Sequence, residues 1–98
     1  MRVLVVGDDN RAVAYREIVE GFGGEFDFIS GFIEPRRAAE KADASDLTVL
    51  VTSFVSHKVS GRIDASGKQV IRVNNGGGQS MSEALGQYVL DLLLREHG

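Results

Sequence analysis

The chain has 98 residues, enough for one hydrophobic core but too few for two, so we expect a single domain over residues 1–98. Hydrophobic residues make up 43% of the sequence and charged residues 26%, a balance that excludes an intrinsically disordered chain. The absence of cysteine excludes disulfide bonds, thiolate metal sites and a cysteine nucleophile. The formal net charge of -3 argues against nucleic acid as a partner, because binding to phosphates needs a basic surface.

The apolar segments are all short. None approaches the roughly 20 apolar residues that span a bilayer. The opening apolar run, residues 3–6, is also too short for a signal peptide. We therefore expect no membrane partner and a cytoplasmic location.

Four runs rich in branched apolar residues alternate with segments of helical periodicity, a pattern typical of repeated βα units and a parallel sheet. The predicted strands are residues 2–7, 25–30, 46–52 and 69–73. The first and third are continuously apolar, as in strands buried on both faces, whereas the second and fourth alternate with polar residues, as edge strands do. With right-handed crossovers this predicts a three-layer α/β/α sandwich whose four-stranded sheet has the order 2-1-3-4.

The first two helices follow the first two strands. Asn10 is a good N-cap for helix one, which Gly23 and Gly24 end. Helix two opens at Pro35, a residue favoured in the first helical position, and runs to about Ala44. Both helices are expected to pack on the sheet.

The last two helices differ in how strongly the sequence predicts them. Helix three begins near Ser56, and Gly61 and Gly67 weaken the prediction beyond two turns. Helix four begins with a capping box, residues 80–83 (SMSE), in which Ser80 and Glu83 would satisfy each other's backbone amides.

Helix four carries two apolar stripes. Its core stripe is Met81, Ala84, Leu85, Tyr88, Val89 and Leu92. A second stripe lies beside it and consists of Gly86, Leu90, Leu93 and Leu94. Exposed apolar patches of this kind usually mark an interface, and a twofold homodimer is the commonest arrangement. The alternatives are a different protein partner, or leucines that are simply exposed near the chain end.

Loops at the carboxyl ends of the strands form the predicted ligand site, because open parallel sheets bind ligands where the strand order reverses. The candidate ligand-binding residues are Gly7, Asp8, Asn10, Thr52, Ser53, Ser56, His57, Asn74, Gly76, Gly77, Gly78 and Ser80. The glycine run, residues 76–78, leaves backbone amides open beside a helix N-terminus, where a phosphate or carboxylate could bind. It matches neither the P-loop nor the dinucleotide fingerprint, and a simple turn explains it equally well.

Two further features bear on chemistry. His57 could act as an acid or base near neutral pH, with Ser56 as a second catalytic candidate, but Ser56 is first of all an N-cap. The adjacent Asp8 and Asp9 are explained at least as well by a turn as by a cation site. The sequence therefore predicts no metal and identifies no cofactor.

Three segments together resemble the domain of unknown function 2325 family. They are residues 3–7 (VLVVG), residues 15–26 (YREIVEGFGGEF) and residues 52–57 (TSFVSH), of which the Val-Ser-His is the most specific. The resemblance covers nearly the whole chain and implies a small Rossmann-like α/β domain. It nominates Ser56 and His57 without implying an activity.

The chain departs from the family pattern just before this tripeptide. Family members often carry an aspartate and a cysteine there, where this chain has Ser53 and Phe54. A thiol or metal role is therefore not implied for this chain. The long glycine run is a second departure.

Three functions are consistent with the sequence. The leading hypothesis is a homodimeric, non-enzymatic module that binds a small anionic or phosphorylated ligand at the carboxyl ends of the strands. The second is an enzyme that uses His57 as acid or base. The third is a protein-interaction domain that acts through helix four.

Overall fold

The computed structural model describes residues 1–66, 69–74 and 78–97. Short 3₁₀ turns, Asp9–Arg11 and Thr52–Phe54, follow the first and third strands. The strands and helices in chain order are β1 (Arg2–Gly7), α1 (Ala12–Gly21), β2 (Glu25–Ser30), α2 (Pro35–Asp43), β3 (Leu47–Val51), α3 (His57–Ala65), β4 (Val70–Val73) and α4 (Gly78–His97). The predicted α/β architecture is thus confirmed.

The four strands form one parallel sheet in the predicted order β2-β1-β3-β4. Val6 of β1 lies beside Ile29 of β2 and Leu50 of β3, and Val51 lies beside Val73 of β4. All four carboxyl ends therefore meet at one edge of the sheet, which we call the carboxyl edge.

Burial follows the strand order. Every residue of β3 is buried, as are the residues of β1 after Arg2, because helices cover both faces of these strands. β2 and β4 are partly exposed, which confirms their edge positions. The α1 and α4 face is filled by Val3, Val5, Tyr15, Val19, Leu47, Val49, Val51, Val73, Met81 and Leu85. The α2 and α3 face is filled by Leu4, Val6, Ile29, Ala38, Ala42, Leu50, Val59 and Ile63.

Two predicted helix starts are wrong. The Asp8 carboxylate, not Asn10, caps the first turn, since it accepts a hydrogen bond from the Asn10 backbone amide at 3.0 Å. The helix α4 begins at Gly78, so Ser80 lies inside its first turn and is not the N-cap of a capping box. Glycine tolerates helical dihedrals, and the helix therefore extends back into the glycine run.

The start of α3 confirms the predicted cap at Ser56. Its hydroxyl accepts a hydrogen bond from the Val59 backbone amide at 3.2 Å, and the helix continues through Gly61 to Ala65. Among the described helices, none is long and apolar enough to cross a membrane.

Candidate functional site

The backbone of Gly31 joins three strand exits at the carboxyl edge. Its amide donates to the Gly7 carbonyl at 3.2 Å, and its carbonyl accepts from the Ser56 amide at 2.9 Å. A Cβ atom on residue 31 would lie 1.7 Å from the carbonyl oxygen of Phe54, so only glycine fits this position. The exits of β1 and β3, between which the sequence predicts a ligand crevice, are thus bridged by backbone at this point.

Two of the predicted ligand-binding hydroxyls donate hydrogen bonds to carbonyl oxygens at the exit of β4. The Thr52 hydroxyl donates to the Val73 carbonyl at 3.3 Å, and the Ser53 hydroxyl donates to the Asn74 carbonyl. These bonds tie the loop after β3 to the loop after β4. Their protons are therefore not free for an anion in this arrangement.

A small pocket opens at the carboxyl end of β3. We call this cavity of about 230 Å³ the His57 pocket, and its lining residues are Leu50, Thr52, Val55, His57 and Ser60. His57 and Ser60 are three residues apart on α3, so their side chains lie on the same side of the helix. Of the predicted site residues, the pocket brings together Thr52 and His57.

The local electrostatics of the His57 pocket favour negative charge. The hydroxyl and the carbonyl of Ser56 accept the amides of Val59 and Ser60, which leaves the amides of His57 and Lys58 as the open first-turn donors of α3. None of the lining residues that the structure describes is a carboxylate. Backbone donors and the positive end of the helix dipole therefore act together here.

The catalytic candidates do not form a catalytic pair. The Ser56 hydroxyl accepts the Val59 amide, as an N-cap does. Within the described part of the chain, no hydrogen bond or ion pair orients the exposed His57 ring. A general base needs such an orienting partner to stay aligned with a substrate proton.

The loop after β1 uses its polar groups locally. The Asp8 carboxylate caps the Asn10 amide and lies 3.8 Å from the Arg11 guanidinium. Over residues 1–66, 69–74 and 78–97, no group of three or more histidine, aspartate or glutamate side chains could hold a metal ion. Asn10 is exposed and does not line the His57 pocket.

Two of the remaining predicted residues, Asn74 and Ser80, lie at a different cavity. Asn74 and Ser80 line a second, open cavity of about 570 Å³ between the end of β4 and the start of α4, together with Arg72. It shares no lining residue with the His57 pocket. Gly76 and Gly77 lie outside the described residues, as do the surroundings of Gly78. The anion site predicted at the glycine run therefore lies outside them as well.

A buried phenol lies beneath the loop after β1. Tyr15 is only 1% exposed, and its hydroxyl would be 3.2 Å from a Cβ atom on Gly7. In the described structure the hydroxyl has no hydrogen-bond partner. Burial raises the pKa of Tyr15 above its ordinary value, and the nearby Asp8 amide offsets part of this rise without reaching hydrogen-bond geometry.

Sequence reasoning missed Ser60 and the buried Tyr15 hydroxyl. Helical spacing from His57 could have found Ser60, because i and i+3 side chains are neighbours. Nothing in the sequence marks Tyr15, whose position in α1 is typical of a core residue. Leu50 and Val55 supply the apolar wall of the His57 pocket and were not nominated as site residues.

The comparisons with known proteins give one result. The family model described as "Uncharacterized protein conserved in bacteria (DUF2325)" matches residues 2–88, which include all four strands and the first half of α4. No curated protein and no solved structure matches the chain significantly.

Proposed function

This chain belongs to the DUF2325 family, and from that premise we propose that it is a binding module for a compact anion held in the His57 pocket. The observation that carries the proposal is the convergence of His57, Ser60 and the open start of α3 on one cavity without a carboxylate. These groups donate hydrogen bonds, and an anion accepts them.

Available donors decide the sign of the ligand's charge. The amides of His57 and Lys58 point along the axis of α3 at its positive end, and Ser60 adds a hydroxyl. Lys58 is exposed and follows His57 in the first turn of α3, so it adds a positive charge to this end of the helix. A cation would meet no opposite charge among the described lining residues, so an anion is the better fit.

The size of the pocket decides the size of the ligand. Its volume of about 230 Å³ is below the roughly 300–1,000 Å³ of pockets for drug-sized molecules. Leu50 and Val55 form an apolar wall that suits a short hydrocarbon chain. Inorganic phosphate or a small carboxylate therefore fits better than a nucleotide.

Thermal unfolding at constant ionic strength tests the proposal. A ligand that binds only the native state raises the midpoint, and binding worth about 1 kcal/mol shifts a domain of this size by about 4–8 °C. We expect a rise of this order with about 10–20 mM phosphate or small carboxylate relative to chloride, since this concentration is roughly ten times a millimolar dissociation constant. His57→Ala and Ser60→Ala should each remove most of it.

The matched control is Asn10→Ala. Asn10 is also exposed at the carboxyl edge and is equally a sequence-predicted ligand residue, but it does not line the His57 pocket. This variant should keep the full rise. If no anion raises the midpoint above chloride, or if His57→Ala and Asn10→Ala behave alike, the pocket is not the binding site.

A further inference from the structure

We infer that the outer face of α4 and the end of α1 form a homodimer interface, in which a groove on each copy receives leucines from α4 of the other. The groove has a volume of about 210 Å³, lies at the amino ends of β1 and β3, and is lined mainly by Met1, Val3, Phe22, Leu47, Val89 and Leu92. We call it the amino-edge groove. The inference goes beyond anion binding and does not depend on it.

The length of α4 explains why this face lacks an intrachain partner. Its 20 residues span about 30 Å at 1.5 Å per residue. The longest strands have six residues and span about 20 Å. The helix is therefore longer than the sheet by about two turns, and side chains in these turns extend past the sheet.

Five large apolar side chains in this region are each about half exposed, and three of them, Met1, Phe22 and Leu93, line the groove. The five are Met1, Phe22, Leu90, Leu93 and Leu94, with exposed fractions between 46% and 62%. Together they present on the order of 400 Å² of apolar surface, a patch size that often marks an interaction site.

These side chains form one continuous surface. A Cβ atom on Gly86 would lie 3.8 Å from the Phe22 ring, so Phe22 lies over α4 at this glycine. Leu90 follows one turn later, and Leu93 and Leu94 extend the same stripe. None of these stripe positions carries a charge.

A second copy of this chain is the occupant that the surface fits best. Leu93 lines the groove, and Leu90 and Leu94 continue the apolar surface along α4, so the groove and the leucines belong to one patch, as a self-complementary twofold interface requires. A stable dimer buries about 800 Å² per partner, of which roughly 55–65% is apolar, and the patch with the groove walls is of that order. A small apolar ligand would fill the groove but leave Leu90 and Leu94 in water.

Sedimentation and light scattering of the full chain test the inference. Wild type should have twice the chain mass of 10.6 kDa at about 100 µM, roughly a hundredfold above a micromolar dissociation constant. Leu90→Glu and Leu94→Glu should each raise the dimer dissociation constant by about 100-fold or more, because each buries an unpaired charge. Val13→Glu is the matched control, since Val13 is 68% exposed on α1 and does not line the groove.

Single cysteines give a second measurement that does not depend on a destabilising charge. The chain contains no native cysteine, so Leu90→Cys, Leu93→Cys and Leu94→Cys each introduce a single thiol. Oxidation should link at least one of these variants into a covalent dimer, whereas Val13→Cys should form no disulfide-linked dimer. A wild-type mass of one chain at about 100–200 µM, roughly a hundredfold above a micromolar dissociation constant, would overturn the inference. So would a dimer that Leu90→Glu and Leu94→Glu leave intact.

Discussion

The two ends of the sheet differ in which of their groups find a partner within the chain. At the carboxyl edge, polar loops are tied to one another by the Gly31 backbone and by the hydroxyls of Thr52 and Ser53. At the amino end, the side chains of Leu90, Leu93 and Leu94 on α4 are about half exposed or more in the described structure. The groups that remain available for binding therefore differ between the two ends. The carboxyl edge retains a few hydrogen-bond donors beside α3, which suit a ligand, and the amino end retains apolar area, which suits a protein surface.

The largest effect that separates the two ends is expected from Gly31→Ala. The new Cβ would lie 1.7 Å from a backbone oxygen, so the loop after β3 must move and the bonds between Gly31, Gly7 and Ser56 must break. We expect a loss of more than about 3 kcal/mol in the free energy of unfolding, or failure to fold. Chemical denaturation measures it.

Gly61→Ala is the control for this substitution. A Cβ atom on Gly61 would meet nothing within 4 Å, so alanine there should be neutral or slightly stabilising. If Gly31→Ala were equally well tolerated, the carboxyl edge would not be held closed by this backbone contact, and the predicted crevice between β1 and β3 would be open after all.

A smaller effect is expected from Tyr15→Phe, also at the carboxyl edge. Its hydroxyl is buried without a partner, which costs about 1–3 kcal/mol, so removing it should leave the free energy of unfolding unchanged or raise it by about 1 kcal/mol. Equilibrium denaturation at neutral pH checks the sign. A clear loss of stability would mean that the hydroxyl has a partner.

The same residue predicts a dependence on alkaline pH. Burial raises the pKa of folded Tyr15, so the unfolded chain releases this proton first as the pH rises. The part of the free energy of unfolding that depends on a protonated Tyr15 is therefore complete below the unfolded pKa of about 10. It is lost as the pH rises through the folded pKa. Tyr15→Phe should flatten this alkaline loss. Identical profiles for wild type and variant would contradict the assignment.

Much of the fold could be predicted from the sequence because it depends on local pattern. The continuous apolar runs of β1 and β3 and the alternation in β2 and β4 fix burial, and burial fixes the strand order. The exposure of Leu90, Leu93 and Leu94 likewise follows from helical geometry.

The details of the carboxyl edge could not be predicted in this way. The contact of Gly31 with Phe54 joins loops that are 23 positions apart, and no local pattern encodes it. Thr52 and Ser53 are ligand-binding candidates from the sequence, whereas in the structure their hydroxyls donate to the carbonyls of Val73 and Asn74 at the exit of β4. The grouping of His57 with Ser60 depends on where α3 begins. A candidate site of this kind therefore emerges only after the loops have been placed.

The smallest effect is expected from Gly86→Ala at the amino end. A Cβ atom there would lie 3.8 Å from the Phe22 ring, an ordinary contact distance, and alanine forms helix better than glycine. The free energy of unfolding should rise by about 0.5–1 kcal/mol, the opposite sign to Gly31→Ala. Because the inferred dimer would itself stabilise the fold, the measurement belongs in the Leu94→Glu background. A rise there and a loss in the wild-type background would mean that the second copy approaches α4 at Gly86, whereas a loss in both would mean that the close contact lies within one chain.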